Sequence, residues 1–351
     1  MTPRSKNWLL LMPFSWVYGA VMSVRNYCYD KRIFRVEKAG IPVISVGNMT
    51  SGGTGKTPFV EYLVRYFLAR NKRVAVLSRG YGRESAETVA IGAGETDRGT
   101  ASRIGDEPFQ MARKFPNITV VADTDRVRGA AVAHKQHSAQ VIILDDGFQH
   151  RALARDLDIV MINADSDVNM IPMLPAGLRR EPLSGLRRAD LVAYSSKTMD
   201  GITETRTSKV QMPSINVGFK PKCFRSVPSM SEVPLSELAG KVCVAFCGIA
   251  EPESFKTMLR KLHAEPGEFF VFGDHHRYTS GELESIRNSA KARENTGIVT
   301  TEKDSARFEP KDIAIVTDNG KIPLYFLEIE AVILEGAELL NSMLDKTLAN
   351  A

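Results

Sequence analysis

The stretch most clearly built for chemistry is Gly47-Asn48-Met49-Thr50-Ser51-Gly52-Gly53-Thr54-Gly55-Lys56-Thr57-Pro58. Glycines let successive backbone N–H groups turn inward around phosphate oxygens. The helix that follows adds the positive end of its dipole. Lys56 can reach the phosphates being transferred, and Thr57 can offer its hydroxyl to Mg²⁺. Gly52, Gly53, Thr54, Gly55, Lys56 and Thr57 are therefore the expected nucleotide-binding set. The strict pattern wants glycine six residues before the lysine, where Thr50 stands, so the other glycines must supply the flexibility. A second stretch is Asp145-Asp146-Gly147, which follows the apolar run 141–144. Two carboxylates at a strand end can hold Mg²⁺ directly or through water, although Asp-Asp-Gly alone also reads as an ordinary turn.

These residues need a frame. The β-branched run 41–46 predicts a buried strand leading into the loop, and 59–68 predicts an apolar helix leaving it, the context a phosphate loop requires. Further strands are predicted at 42–46, 73–77, 118–122, 141–144, 158–162 and 191–194, with helical patterns between several of them, as at 126–137. Such alternation predicts an α/β fold with a mainly parallel, doubly wound sheet, whose ligands gather at the carboxyl ends of the strands. From 201 to about 237 the chain is polar and proline-bearing and reads as a connection. A second, smaller α/β unit is predicted beyond it: strands at 241–247, 269–272 and 298–300, and helices at 253–263 and 281–294. The expected domains are 1–34, a hydrophobic and basic segment; 35–215, the phosphate-loop domain; 216–330, the smaller unit; and 331–351, a terminal helix.

Composition narrows the class. Of 351 residues, 43% are hydrophobic and 25% charged, which excludes collagen, coiled coil and wholesale disorder. Four cysteines (Cys28, Cys223, Cys243, Cys247) make no disulfide framework or paired zinc site, so reduced cytoplasmic thiols are expected. Residues 1–35 carry six basic side chains against Asp30 alone, which accounts for the whole net charge of +5. A neutral remainder argues against nucleic acid as partner. Residues 8–24 hold only two polar side chains, Ser15 and Ser23. As a helix they would reach about 25 Å, against a hydrocarbon core of about 30 Å. Tryptophans, tyrosine and basic flanks suit a membrane surface, so a monotopic anchor is preferred over a full span. A buried helix is a second reading, and a signal peptide a third that lacks a small-residue cleavage site.

Several motifs occur in order: 47–58; Ser78-Arg79-Gly80-Tyr81-Gly82-Arg83; Arg103-Ile104-Gly105-Asp106-Glu107-Pro108; Asp145-Asp146-Gly147-Phe148-Gln149-His150; Arg180-Glu181-Pro182; Asp274-His275-His276; and Thr301-Glu302-Lys303-Asp304. As an ordered set they resemble the tetraacyldisaccharide 4′-kinase family of lipid A synthesis, over nearly the whole chain. The resemblance implies transfer of the γ-phosphate of ATP, with Mg²⁺, to the 4′-hydroxyl of a tetraacylated glucosamine disaccharide 1-phosphate. It also implies a lipid substrate and a place on the cytoplasmic face of the bacterial inner membrane; a monomer is expected, although no motif encodes the oligomeric state. On it, Asp106 matches a catalytic aspartate and His275 its partner, Lys56 and Asp146 act at the phosphates, and Thr57, Asp145, Asp146 and Glu181 form the metal set. Arg79, Tyr81, Arg126 and Arg180 match positions holding the phosphorylated disaccharide; guanidinium forks suit a sugar phosphate. The residues by themselves favour a helix N-cap for Asp106, which the resemblance turns toward catalysis, and they leave a solvated loop glutamate as the alternative for Glu181. With Asp106 and His275 in different predicted domains, domain closure on the substrates is expected. Gly248-Ile249-Ala250 departs from the family pattern at Ala250, and the role of Lys303 and Asp304 stays open. The alternative is a membrane-associated P-loop GTPase, ATPase regulator or metallochaperone, or a non-catalytic ATP sensor. Against the first, the lysine of Thr301-Glu302-Lys303-Asp304 falls one place late for reading guanine.

Overall fold

Runs of valine, isoleucine and leucine buried on both faces, alternating with amphipathic helices, dictate a parallel sheet covered by helices. The computed structural model describes residues 8–83, 87–95, 101–196, 212–293 and 297–349. Arg4, Lys6 and residues 201–211 of the predicted connection lie outside the described residues. The chain divides into two compact units: residues 1–219 with 331–351, and residues 220–330. The N-terminal segment and the C-terminal helix thus both belong to the first unit.

The first unit contains β1 (Val43–Asn48), β2 (Val74–Ser78), β3 (Val89–Ile91), β4 (Thr119–Ala122), β5 (Val141–Asp145), β6 (Leu157–Asn163), β7 (Leu191–Ser196) and the start of β8 (Ser214–Val227). Their order is β8-β7-β6-β1-β5-β2-β4-β3, parallel throughout except for β3. The helices are α1 (Met12–Asp30), α2 (Lys56–Leu68), α3 (Ala101–Ile104), α4 (Asp106–Lys114) and α5 (Arg126–Lys135). On one face Phe59, Leu63 and Phe67 of α2 pack on Ile44, Val46, Val76 and Ile143. On the other Ala130 and Ala133 of α5 pack on Ala75, Leu77, Ile142 and Leu144. Neighbouring strand residues supply opposite faces, as the pleat requires, so the sheet is doubly wound.

The second unit holds the rest of β8, β9 (Glu232–Val233), β10 (Val242–Cys247), β11 (Glu265–Val271), β12 (Ile298–Thr301) and most of β13 (Leu324–Glu335), with α6 (Pro252–Lys261), α7 (Ser280–Lys291), α8 (Glu302–Ser305) and α9 (Pro310–Val316). Strands β11, β10, β12 and β13 run parallel in that order. Two expectations are corrected. The stretch read as a connection contains β8, whose mixed burial and short β9 hairpin partner hide it from a hydrophobicity reading. Helix was also expected from 331, but β13 runs on to Glu335 and the terminal helix is Ala337–Ala349.

The N-terminal helix starts with proline in its first turn, which tolerates a missing N–H, and runs past Val24 to Asp30. Ser15 is its only buried residue. Phe14, Trp16, Val17, Val21 and Val24 are each at least 59% exposed, so the segment is not a buried core helix. Among the described residues, no helix is long and apolar enough to cross a membrane.

Candidate active site

Parallel pairing places Val46 of β1 opposite Asp145 of β5, so the phosphate loop and the twin aspartates leave adjacent strands at the same end of the sheet. The loop then wraps into α2. Gly55 precedes α2 with φ +77°, and a Cβ there would lie 2.0 Å from the Phe219 ring, so only glycine fits. No side chain caps α2, which leaves its first N–H groups available to an anion. Gly52 and Gly53 face open space. Asn48 Nδ2 donates to Thr54 Oγ1 at 3.3 Å, shaping the loop from beneath. At the departing Thr50, the backbone forms an antiparallel bridge with Arg179, which pins the position where the strict pattern has glycine. Thr57 is half-buried at the second position of α2.

Lys56 Nζ lies 3.4 Å from Asp146 Oδ1. Arg180 Nη1 donates to both oxygens of the same carboxylate, at 2.8 and 2.7 Å, and its Nε to Ser51 Oγ at 3.3 Å. Burial opposes ionisation of Asp146, but Lys56 and Arg180 together hold its pKa below the ordinary value. Asp145 behaves oppositely. Burial, then the charges of Glu107 and Asp146, push it up to about 7 against the pull of Lys56 and Arg126. Its Oδ1 is buried without a hydrogen-bond partner, as is Asn48 Oδ1. A buried, unpartnered oxygen beside a second carboxylate suits a hard cation such as Mg²⁺. Glu181 is different. Its carboxylate is fully buried and takes Arg188 on both oxygens at 2.8 Å, Gln149 at 2.8 Å and Asn26 at 3.1 Å. Asp145, Asp146 and Glu181 do not bring one oxygen each within 4.8 Å of one another; among the described residues that grouping occurs only at Cys223, Glu232 and Glu328. There Arg225 and Lys222 already occupy Glu328.

Asp106 opens α4, but the N-cap residue is Gly105, and no side chain caps the helix. The N-cap reading of Asp106 is thereby corrected: it stands one residue inside. Gly105 packs directly against the loop after β2, where a Cβ would approach Gly80 Cα to 2.8 Å and Tyr81 O to 2.9 Å. The start of α4, which carries Asp106, thus lies against the Gly80–Tyr81 turn, where Arg79 and Tyr81 are exposed. Arg126 is 3% exposed, with an unpartnered Nε. Burial lowers its pKa to about 10, with Asp145 opposing and Arg79 adding to the fall. Burial and then Arg126, Arg155 and Arg25 drive His150 down to about 4, a neutral imidazole. Arg25, Asn26, Gln149 and His150 were not among the predicted site residues. The last two lay in the quoted Asp-Asp-Gly-Phe-Gln-His run, whereas nothing in the sequence pairs α1 with it.

In the second unit His275 has φ +60° and sits after β11. Its Nε2 lies 3.1 Å from Lys303 Nζ and its Nδ1 3.4 Å from Arg307 Nη2. Ammonium and guanidinium both only donate, and a neutral imidazole has one accepting nitrogen, so it can accept from one of the two cations at a time. His276 instead bonds Glu282 at 3.0 Å and stacks on Phe272. Lys303 also pairs with Asp274 at 3.1 Å. Asp304 is fully buried and accepts from the Gly248 amide (3.0 Å), Tyr278 (2.9 Å) and Arg307 (2.8 Å), tying the loops at the strand ends together.

An uncapped helix behind a glycine loop, a lysine shared with an aspartate, and an acidic neighbouring strand end define a P-loop phosphotransferase of the α/β class. Comparison with known proteins narrows this. The family model described as tetraacyldisaccharide-1-P 4′-kinase (LpxK) matches residues 7–349, and the chain belongs to that family. It is 38% identical to the tetraacyldisaccharide 4′-kinase of Chlorobaculum parvum, over 98% of this chain and 96% of that protein. It is 37% identical to that of Chlorobium luteolum, with 96% of each covered. The crystal structure of "apo" form LpxK from Aquifex aeolicus in complex with ATP matches with a TM-score of 0.79 at 32% identity, covering 97% of this chain and 99% of that one.

Proposed function

We propose that the protein transfers the γ-phosphate of ATP to the 4′-hydroxyl of a tetraacylated glucosamine disaccharide 1-phosphate. The observation that carries the phosphoryl-transfer chemistry is the meeting of Lys56 with Asp146 at the mouth of the phosphate loop. The family gives the acceptor. The loop N–H groups and the start of α2 bind and orient the phosphates. Lys56 moves from Asp146 to the incoming phosphates, exchanging one anion for another. Thr57, Asp145 and Asp146 would hold Mg²⁺, which when bound supplies positive charge against the phosphate oxygens. Glu181, with both oxygens committed, serves to position Arg188, Gln149 and Asn26.

Arg79, Tyr81, Arg126 and Arg180 are proposed to hold the acceptor and its phosphate. Asp106, at the helix start that packs on the Gly80–Tyr81 backbone, is proposed to accept the hydroxyl proton. The exposed apolar stripe of α1 is proposed to rest on the cytoplasmic surface of the inner membrane, where basic flanks attract anionic lipid. The test supplies γ-labelled ATP, Mg²⁺ and the lipid disaccharide in detergent. Label on the lipid is expected with the wild type and absent with Lys56→Ala. Label released only to water would overturn the kinase reading in favour of a nucleotide switch.

A further inference from the structure

The helix α1 does more than present an apolar stripe outward. Its opposite face (Ser15, Tyr18, Asn26) is hydrogen-bonded to the segment 173–181, and the same segment is hydrogen-bonded to the phosphate loop. Ser15 Oγ donates to the Met173 carbonyl at 2.9 Å and accepts from the Ala176 amide at 3.0 Å. Tyr18 donates to the Arg180 carbonyl at 2.8 Å. On the far side of that segment, the Arg180 amide donates to Met49 O at 2.8 Å and the Ser51 amide to Leu178 O at 2.7 Å. A second route is equally short. Asn26 donates to Glu181, and Gln149 bridges Glu181 to the Asn48 carbonyl at 2.9 Å.

We infer that Tyr18 and Asn26 of α1 are positioning residues for the nucleotide site, acting through 173–181 on the phosphate loop. The loop needs outside support: a Cβ at Gly52 or Gly53 would meet nothing within 4 Å, so no packing holds the loop tip, and a cradle must hold its N–H groups in place before phosphate arrives. Fixing the Arg180 carbonyl from behind also sets where its guanidinium meets Asp146, the carboxylate that holds Lys56. Because coupling is reciprocal, bound nucleotide should in turn tighten α1. The inference rests on the reading of 47–58 as the nucleotide loop.

The test uses the full chain in detergent micelles, with dissociation constants measured for a fluorescent ATP analogue with Mg²⁺. Tyr18→Phe and Asn26→Ala should each weaken binding about threefold, and together about tenfold, with each variant's thermal unfolding recorded alongside. Ser23→Ala, whose hydroxyl among the described residues bonds the Gly19 carbonyl of the same helix, should stay within twofold. In the wild type, saturating nucleotide should slow amide exchange across residues 15–26. A folded double variant binding within twofold of wild type would overturn the inference. If that variant does not fold, unchanged exchange in α1 on nucleotide binding would overturn it instead, and slowed exchange would support it. Wild type that fails to bind nucleotide, or Lys56→Ala that binds as wild type does, would bring down the nucleotide-loop reading and the coupling with it.

Discussion

Gly105→Ala isolates the contact that brings Asp106 beside the Arg79–Tyr81 loop. Gly105 has φ +101° and ψ 154°, a region essentially confined to glycine, where another residue costs about 1–3 kcal/mol. The new methyl would stand 2.8–2.9 Å from backbone atoms of Gly80 and Tyr81. Backbone cannot swing aside as a flexible side chain can, so overpacking adds about 1–3 kcal/mol. The sum centres on about 4 kcal/mol. At roughly 2–4 °C per kcal/mol for a unit of this size, the midpoint should fall by roughly 8–16 °C. Gly94→Ala is the control, with φ +80° but open space around the Cβ; it should cost only about 1–2 kcal/mol. Turnover should separate the two further. Asp106 follows Gly105 directly, and a displacement near 1 Å can cost on the order of 10² in rate, whereas Gly94→Ala should transfer phosphate at the wild-type rate. Both variants are measured by scanning calorimetry and by γ-label transfer below the transition. Equal destabilisation of the two, within about 1 kcal/mol, would refute the claim that backbone contact at Gly80 positions Asp106.

Asp106→Ala should lower kcat by about 10²–10⁴ with little change in unfolding midpoint, as for a proton acceptor; a loss of stability alone would make it structural. Burial raises Asp145 to about 7, so Mg²⁺ must compete with a proton there. Mg²⁺-dependent nucleotide affinity should weaken as pH falls from 8 to 6, and Asp145→Asn should abolish that dependence. The stability sign is opposite: the raised carboxyl favours the fold fully below its ordinary pKa, and that contribution is lost as pH rises through about 7, seen as a falling midpoint in metal-free buffer that Asp145→Asn lacks. Glu181→Ala strands Arg188 and should cost about 3 kcal/mol, equally with and without Mg²⁺; a cost appearing only with Mg²⁺ would return Glu181 to the metal set. Val17→Ser with Val21→Ser should reduce recovery on anionic vesicles while leaving transfer to detergent-dispersed acceptor unchanged, as cosedimentation and the label assay would report.

What the sequence determined by itself were the features written locally: the phosphate loop between strand and helix, the acidic end of β5, and the alternation that makes a doubly wound sheet. Each needs only neighbours in the chain, because strand burial and loop chemistry are set within a few residues. It missed β8, whose burial follows no regular alternation and whose hairpin partner β9 is only two residues long. Tertiary structure alone decided which carboxylate is committed and which is available. Glu181 and Asp145 look alike in the sequence, yet four hydrogen bonds from Arg188, Gln149 and Asn26 satisfy the first, and burial without a partner raises the second. Likewise only the fold could set Gly105 against Gly80, or bind α1 to a segment more than a hundred residues further along the chain. Those contacts depend on where separate elements come to rest against each other, which no short-range pattern encodes.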